Sequence, residues 1–212
     1  MDDRPSRAER KVATNSALVL AARHCISEQG PDVSIHDIAG EAGVAVGTVY
    51  NYFESKGDLF AATGVNSFAE FNTWAQPTLE RLEDPAMRLA TFARYMTRMP
   101  ETHIDHARVI WHTQRYVWGP KYRTSEEGEL ERDVREGIAH GLFDPRLMPA
   151  KVITAIGAIV HFIGLRLLHP QMPTSEGDDV VEIIMTILGL PAEKAKEVSH
   201  CRLPRRPAIT NS

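Results

Sequence analysis

The sequence predicts an all-α protein, in which an N-terminal bundle of three helices is joined to a larger C-terminal helical domain. Three observations predict it. Apolar residues recur three and four apart through most of the chain. No stretch alternates apolar with polar residues in the manner of a half-buried strand. Glycine and proline punctuate the pattern at intervals that suit helices. The expected organisation is a first domain over 10–58, a second over 59–190 and a mobile tail over 191–212.

In the first helix Leu18, Ala21, Ala22, Cys25 and Ile26 lie at i, i+3, i+4, i+7 and i+8, which makes one apolar face, and Gly30-Pro31 ends it. Ser34 is a favourable N-cap for the second helix, with Ile35, Ile38, Ala39 and Ala42 inward. Gly43 stops that helix early. A third short helix turns Val49 and Phe53 inward, and Glu54-Ser55-Lys56-Gly57 breaks the chain again. A longer helix follows from about Asp58, with Leu59, Phe60, Phe68 and Phe71 as core positions. Pro77, Asp84-Pro85, Pro100, Gly119-Pro120, Pro145 and Pro149 then separate helical segments near 86–99, 103–118, 125–141, 149–168 and 177–188. The final stretch is basic and proline-rich around Arg202–Pro207 and shows no apolar face, hence the expectation of a mobile tail.

Composition narrows the function. The net charge is -4, and residues 1–60 hold six Lys or Arg against nine Asp or Glu, so a case for nucleic acid must rest on where the positive groups sit. Cys25 and Cys201 are far apart and belong to no Cys-x-x-Cys pattern, which argues against a disulfide framework and against structural zinc. The most apolar stretch, Val152 to Leu168, is shorter than the roughly 20 residues of a membrane span and carries His161 and Arg166. A soluble cytoplasmic protein is expected, with no membrane partner. There is no phosphate-binding glycine loop and no Gly-x-Ser-x-Gly. Glu101, His103, Asp105 and His106 are metal-ligand types without metal-ligand spacing. No enzyme, cofactor or metal site is therefore expected.

The informative segment runs from Ser34 to Leu59. Two short helices meet at Gly43-Val44, where glycine can take the positive φ of a sharp exit, Ala39 lets the helices approach, and Val44 and Val49 close the corner. This is a helix-turn-helix over roughly 35–53, whose second helix enters the major groove. That helix presents Thr48, Tyr50, Asn51 and Tyr52, uncharged hydrogen-bonding groups on short or planar side chains that suit phosphates and base edges. Lys56 opens the next helix, where its charge and the free N–H groups can address a phosphate. Core packing is the competing reading for the tyrosines. Arg4, Arg7, Arg10 and Lys11 form a basic arm ahead of the first helix, diluted by Asp2, Asp3 and Glu9.

The order Ile-Ala-x-x-Ala-Gly-Val-x-x-Gly-Thr-Val-Tyr-x-Tyr-Phe-x-x-Lys-x-x-Leu, from Ile38 to Leu59, resembles the DNA-binding signature of the tetracycline-repressor (TetR) family. The resemblance implies that Thr48, Tyr50 and Lys56 contact phosphates and that Tyr52 sits at the groove edge. It turns His36, Val46, Gly47 and Asn51 toward bases, and has Ser34 cap the second helix beside the DNA backbone. Ala45 departs from the serine common in the family and removes a cap for the recognition helix. The implied function is a ligand-responsive transcriptional repressor. An activator, or a degenerate member acting through protein contacts, shares the same signature.

In the C-terminal domain, Val152, Ile156, Ile159, Val160, Ile163 and Leu167 on one helix and Val180, Ile183, Ile184, Ile187 and Leu188 on the next form apolar faces, and Gly157 and Gly164 leave room for close approach. These faces can be buried within one chain or against a second copy. The resemblance implies a homodimer through helices near 149–168 and 177–188, which would present two recognition helices to a double-stranded operator. Phe92, Tyr95, Met96, Met99, Trp111, His112, Tyr116 and Trp118 are an inventory fit for a hydrophobic or aromatic small molecule, with His161 and Arg166 as the polar groups of the apolar helix. Plain core packing competes for each of them.

Overall fold

The computed structural model describes residues 6–117, 129–146 and 148–204, and no strand occurs among them. The helices are α1 (Arg7–Gln29), α2 (Ile35–Glu41), α3 (Val46–Tyr50), α4 (Lys56–Leu79), α5 (Pro85–Thr97), α6 (Met99–Thr102), α7 (Ile104–Val117), α8 (Glu129–Ala139), α9 (Met148–Leu168), α10 (Thr174–Leu188) and α11 (Ala192–His200), with a 3-10 turn at Gly30–Asp32. The chain forms two compact units, Met1–Ala69 with Arg108–Thr124, and Glu70–Ala107 with Ser125–Ser212. The division falls inside α4 and α7, not at residue 58, because Leu59, Phe60 and Val109 belong to the first core.

The first unit is held by Leu18, Ala22 and Ile26 of α1, Ile38 of α2, Val49 of α3, Leu59 and Phe60 of α4 and Val109 of α7, each at most 1% exposed. Cys25 lies in this core as the helical spacing predicts. The basic arm takes a different form: Arg7, Arg10 and Lys11 are already helical. Ser6 and Glu9 make a reciprocal capping box, the Glu9 amide donating to the Ser6 hydroxyl at 3.2 Å and the Ser6 amide to the Glu9 carboxylate at 2.6 Å. Those bonds start α1 early and hold the Glu9 carboxyl below its usual value. Arg4 lies outside the described residues.

The later turns of α7 complete this unit. Gly64 of α4 makes them fit: a Cβ there would come within 2.3 Å of the Thr113 hydroxyl and 2.9 Å of Val117. Tyr116 sets its ring edge-on to Phe60 at 5.4 Å. α4 itself runs past Pro77, where the sequence predicts a break. The helix ends two residues later, at Leu79.

In the second unit α5 is the buried axis. Its small residues Ala86, Ala90 and Ala93 let α8, α10 and α11 pack around it. Its cations are paired. Arg88 donates from Nε to Asp133 at 2.9 Å and bonds Glu136, while Arg94 and Arg98 converge on the two oxygens of Asp178 at 2.7 and 2.8 Å. Burial opposes the ionisation of Asp178, and hydrogen bonds from Arg98 and Arg94 overcome it, holding the carboxyl below its ordinary value.

The expectation of a mobile tail from residue 191 needs correction for its first half. Residues 192–200 form α11, with Ala195 and Val198 fully buried, and the Tyr95 hydroxyl donates to the Pro204 carbonyl at 2.9 Å. Residues 205–212 lie outside the described set. The two apolar helix faces also differ from expectation. α9 buries Ala155, Phe162, Ile163, Gly164 and Arg166, while Ile153 and Leu168 are 61% and 69% exposed. α10 buries Ile184 and exposes Ile183 at 60% and Ile187 at 36%. Gly157 is exposed, so the two glycines do not form one outward stripe. With 21 residues α9 is long and apolar enough to cross a membrane, longer than the stretch counted in the sequence. Its buried Arg166 and packing against α5, α6 and α10 mark it as a helix of this folded domain.

Candidate nucleic-acid interface

The geometry of the helix-turn-helix follows from local bonds. Ser34 caps α2: its hydroxyl accepts from the Asp37 amide at 3.1 Å and donates to the Asp37 carboxylate at 2.5 Å, which also accepts from the Ser34 amide at 2.9 Å. These bonds hold the Asp37 carboxyl below its usual value. Gly43 takes φ 66°, and the Val44 amide closes the turn on the Ala39 carbonyl at 2.9 Å. Ala45 stands at the N-cap of α3 with no side-chain bond, as its identity foretold. Val49 is the one buried residue of α3.

The rest of α3 faces outward or lies at its margin. Tyr50 is 54% exposed; Gly47 and Asn51 are exposed; Val46, Thr48 and Tyr52 are half-buried. Nothing stands within 4 Å of where a Gly47 side chain would begin, so the backbone there is open to close approach. His36 is exposed on α2. Phe53, by contrast, is core.

Two features carry no signal in the sequence. Tyr52 lines a surface depression of about 250 Å³ with Lys11, Val12, Asn15 and Ser16, so the polar face of α1 joins the same surface as α3. Asn15 and Ser16 do not stand out, since polar residues on a helix face are ordinary. Lys56 is the other. Its Nζ donates to the Pro31 carbonyl at 2.9 Å and stands 4.9 Å from the Phe60 ring centre, so its ammonium ties α4 to the turn before α2. Ser55 starts α4 by accepting from the Asp58 amide at 3.1 Å.

The residues gathered as a ligand set divide. Trp111, His112 and Tyr116 belong to the first unit, where Trp111 and His112 border a shallow depression of about 350 Å³ with Pro31, Gln114 and Arg115. His112 packs against Gly30, and burial, then Arg108, lowers its pKa. Phe92, Tyr95, Met96 and Met99 belong to the second unit. Met96 and Met99 are 4% and 0% exposed and lie in the core. Phe92 and Tyr95 join an aromatic cluster: Trp74 stacks on Phe71 at 5.1 Å, with Tyr95 5.3 Å and His103 4.4 Å from Trp74, and Phe92 6.1 Å from Phe71. His161 is exposed and Arg166 is 2% exposed. Trp118 lies outside the described residues.

Comparison with known proteins bears on this arrangement directly. Residues 18–63 match the model of bacterial regulatory proteins of the tetR family, and residues 84–201 match that of the tetracyclin repressor-like C-terminal domain. The chain belongs to the TetR family. As a TetR-family protein it is a DNA-binding transcription regulator and not an enzyme. Solved structures share its fold. RolR in complex with resorcinol is 23% identical, with a TM-score of 0.68 over 94% of this chain and 99% of that one. A TetR-family regulator from Marinobacter aquaeolei VT8 is 21% identical, with a TM-score of 0.60 over 89% and 97%. FadR from Bacillus subtilis in complex with stearoyl-CoA is 19% identical, with a TM-score of 0.58 over 81% and 97%. No curated protein matches the chain.

Proposed function

We propose that this TetR-family regulator is a homodimeric repressor that leaves its operator when a small molecule binds the C-terminal domain. The observation that carries the DNA reading is α3 itself: buried Val49 and half-buried Val46 anchor it, and Gly47, Tyr50 and the C-cap Asn51 are left to solvent. Thr48 and Tyr50 address phosphates; His36, Val46, Gly47 and Asn51 face bases; Tyr52 extends the contact toward Lys11, Asn15 and Ser16 of α1. Ile183 and Ile187, exposed one turn apart on α10, and Ile153, exposed on α9, support pairing of two copies through these helices, since exposed aliphatic side chains grouped on a helix face gain by mutual burial. Pairing sets two recognition helices at half-sites about 34–36 Å apart.

Release by a ligand requires that the ligand prefer one of two arrangements of the dimer. Solved relatives of the same fold hold resorcinol and stearoyl-CoA, which supports a C-terminal domain that takes up organic molecules, with Phe92 and Tyr95 in its aromatic cluster. The deciding experiment is a gel-shift titration of the full chain on DNA upstream of its own and neighbouring genes at two salt concentrations. A specific complex that weakens with salt, and weakens further in Tyr50→Phe, is expected. A folded dimer that prefers no sequence at either salt would overturn the reading. Activation uses the same reading head, and a reporter fused to the bound promoter separates the two.

A further inference from the structure

Affinity for duplex DNA rests largely on cations that neutralise phosphates, and the recognition helix of this protein brings none. α2 adds two acids, Asp37 and Glu41. The Lys56 ammonium at the start of α4 is tied to the Pro31 carbonyl. On α7, Arg108 donates to the Ser27 carbonyl at 3.3 Å and Arg115 to the Tyr116 hydroxyl at 2.6 Å. Among the described residues, α1 is the element of this unit left to supply the ionic part of the contact.

Its geometry suits that task. Arg7, Lys11 and Asn15 follow one another at intervals of four residues, so they form a row along one side of α1 in steps of about 6 Å. Arg7 and Lys11 are exposed and Asn15 is half-buried. Glu9 falls on the opposite side of the helix, and its carboxylate is occupied by the Ser6 amide. The row ends in the depression of about 250 Å³ that Lys11, Asn15 and Ser16 line with Val12 and Tyr52. No acidic residue lines it, and four of the five side chains carry donors for a phosphate oxygen: an ammonium, an amide and two hydroxyls. Tyr52 stands directly after the C-cap of α3, so the row abuts the recognition helix. The capping box fixes Arg7 and Lys11 on a formed helix, and their positions are set before DNA arrives. Resting on the reading of α3 as the recognition helix, we propose that Arg7, Lys11 and Asn15, closed by Tyr52, form a track for backbone phosphates. This track supplies the ionic part of DNA binding in place of Lys56.

The test uses the full chain and two fluorescein-labelled duplexes, one of random sequence and one cut from the promoter bound in the gel shift. Anisotropy is read over a series of salt concentrations, with circular dichroism to confirm that each variant is folded. Lys11→Gln and Arg7→Gln should each lower the slope of log affinity against log salt by about 0.9 on both duplexes, and Lys56→Met by less. Asn15→Ala should weaken both complexes without moving the slope. The ratio of the two affinities should stay at its parental value throughout, because phosphate contacts carry no sequence information. Lys11→Arg keeps the charge, and Lys196→Gln removes an exposed one from α11 in the other unit; both should keep the parental slope. A folded Lys11→Gln protein with the parental slope overturns the proposal, as does an equal loss of slope in Lys196→Gln or a random duplex left unbound at low salt. Loss of slope in Lys11→Gln from a parent that binds both duplexes equally would sink the operator reading and leave the track standing. A specific complex whose slope ignores Lys11 and Arg7 would do the reverse.

Discussion

The Lys56 ammonium donates to the Pro31 carbonyl at 2.9 Å, so a residue whose position in the signature implies a phosphate contact is engaged inside the protein. A charged hydrogen bond of this kind contributes about 1.5–3 kcal/mol when well shielded and less at a half-buried site. Lys56→Met should therefore lower Tm by a few degrees in thermal unfolding. A lysine that neutralises one phosphate adds about 0.9 to the slope of log affinity against log salt, and the reduction expected for Lys56→Met is smaller than that. A full unit of slope with unchanged Tm would return Lys56 to the DNA surface.

Gly64 faces Thr113 and Val117 at distances no Cβ tolerates. Gly64→Ala should destabilise the protein by about 1–3 kcal/mol through overpacking, despite the better helix propensity of alanine. Gly40, with open space where its Cβ would stand, is the control, and Gly40→Ala should be neutral or slightly stabilising. Urea midpoints of the pair measure the difference.

Asp178 holds two arginines, and Asp178→Asn should cost about 3 kcal/mol or more because Arg94, 3% exposed, loses its ionic partner. The pH dependence has a definite sign. The folded carboxyl titrates below its unfolded value of about 3.9, so its contribution is complete above that pH and is lost as pH falls through the lower folded value. Unfolding curves between neutral pH and about pH 3 should show a shallower acid decline in Asp178→Asn than in the parent protein.

Ile183 is 60% exposed on α10, a helix that buries Val181, Ile184 and Met185. Ile183→Glu should leave the helical content intact and shift sedimentation toward the monomer. An unchanged dimer would remove α10 from the pairing surface.

How far the sequence reached depended on how local the signal was. Ser34, Gly43 and the spacing of Ile38, Val49 and Phe53 act within a few residues of themselves, so α2, the turn and α3 were legible, as was the exposure of Tyr50 and Asn51, whereas Thr48 and Tyr52 are half-buried. The capping box at Ser6 and Glu9 was equally local, yet the arginines around it suggested an arm. α11 was hidden because only Ala195 and Val198 carry its apolar burial, and two apolar residues make no readable face. Which side of α9 points inward was ambiguous for the opposite reason: aliphatic residues occupy nearly all of its circumference, and packing against α5, α6 and α10 decides the matter. The tie between Lys56 and Pro31 spans 25 residues and leaves no mark on the sequence.

The enclosure of Val109, Thr113 and Tyr116 with Leu59, Phe60 and Gly64 has a consequence for how such a reading head can be inherited. It cannot be lifted out as the first sixty residues. A fragment ending at residue 58 would lose Leu59 and Phe60, and one ending at residue 69 would leave their apolar surface uncovered. A swap that grafts this head onto a foreign effector domain must carry the last turns of α7 with it, or reproduce their side chains. Recombination between members of the family is therefore expected to succeed where the breakpoints respect two separated segments of chain, and to yield insoluble hybrids where a single cut follows the helix-turn-helix.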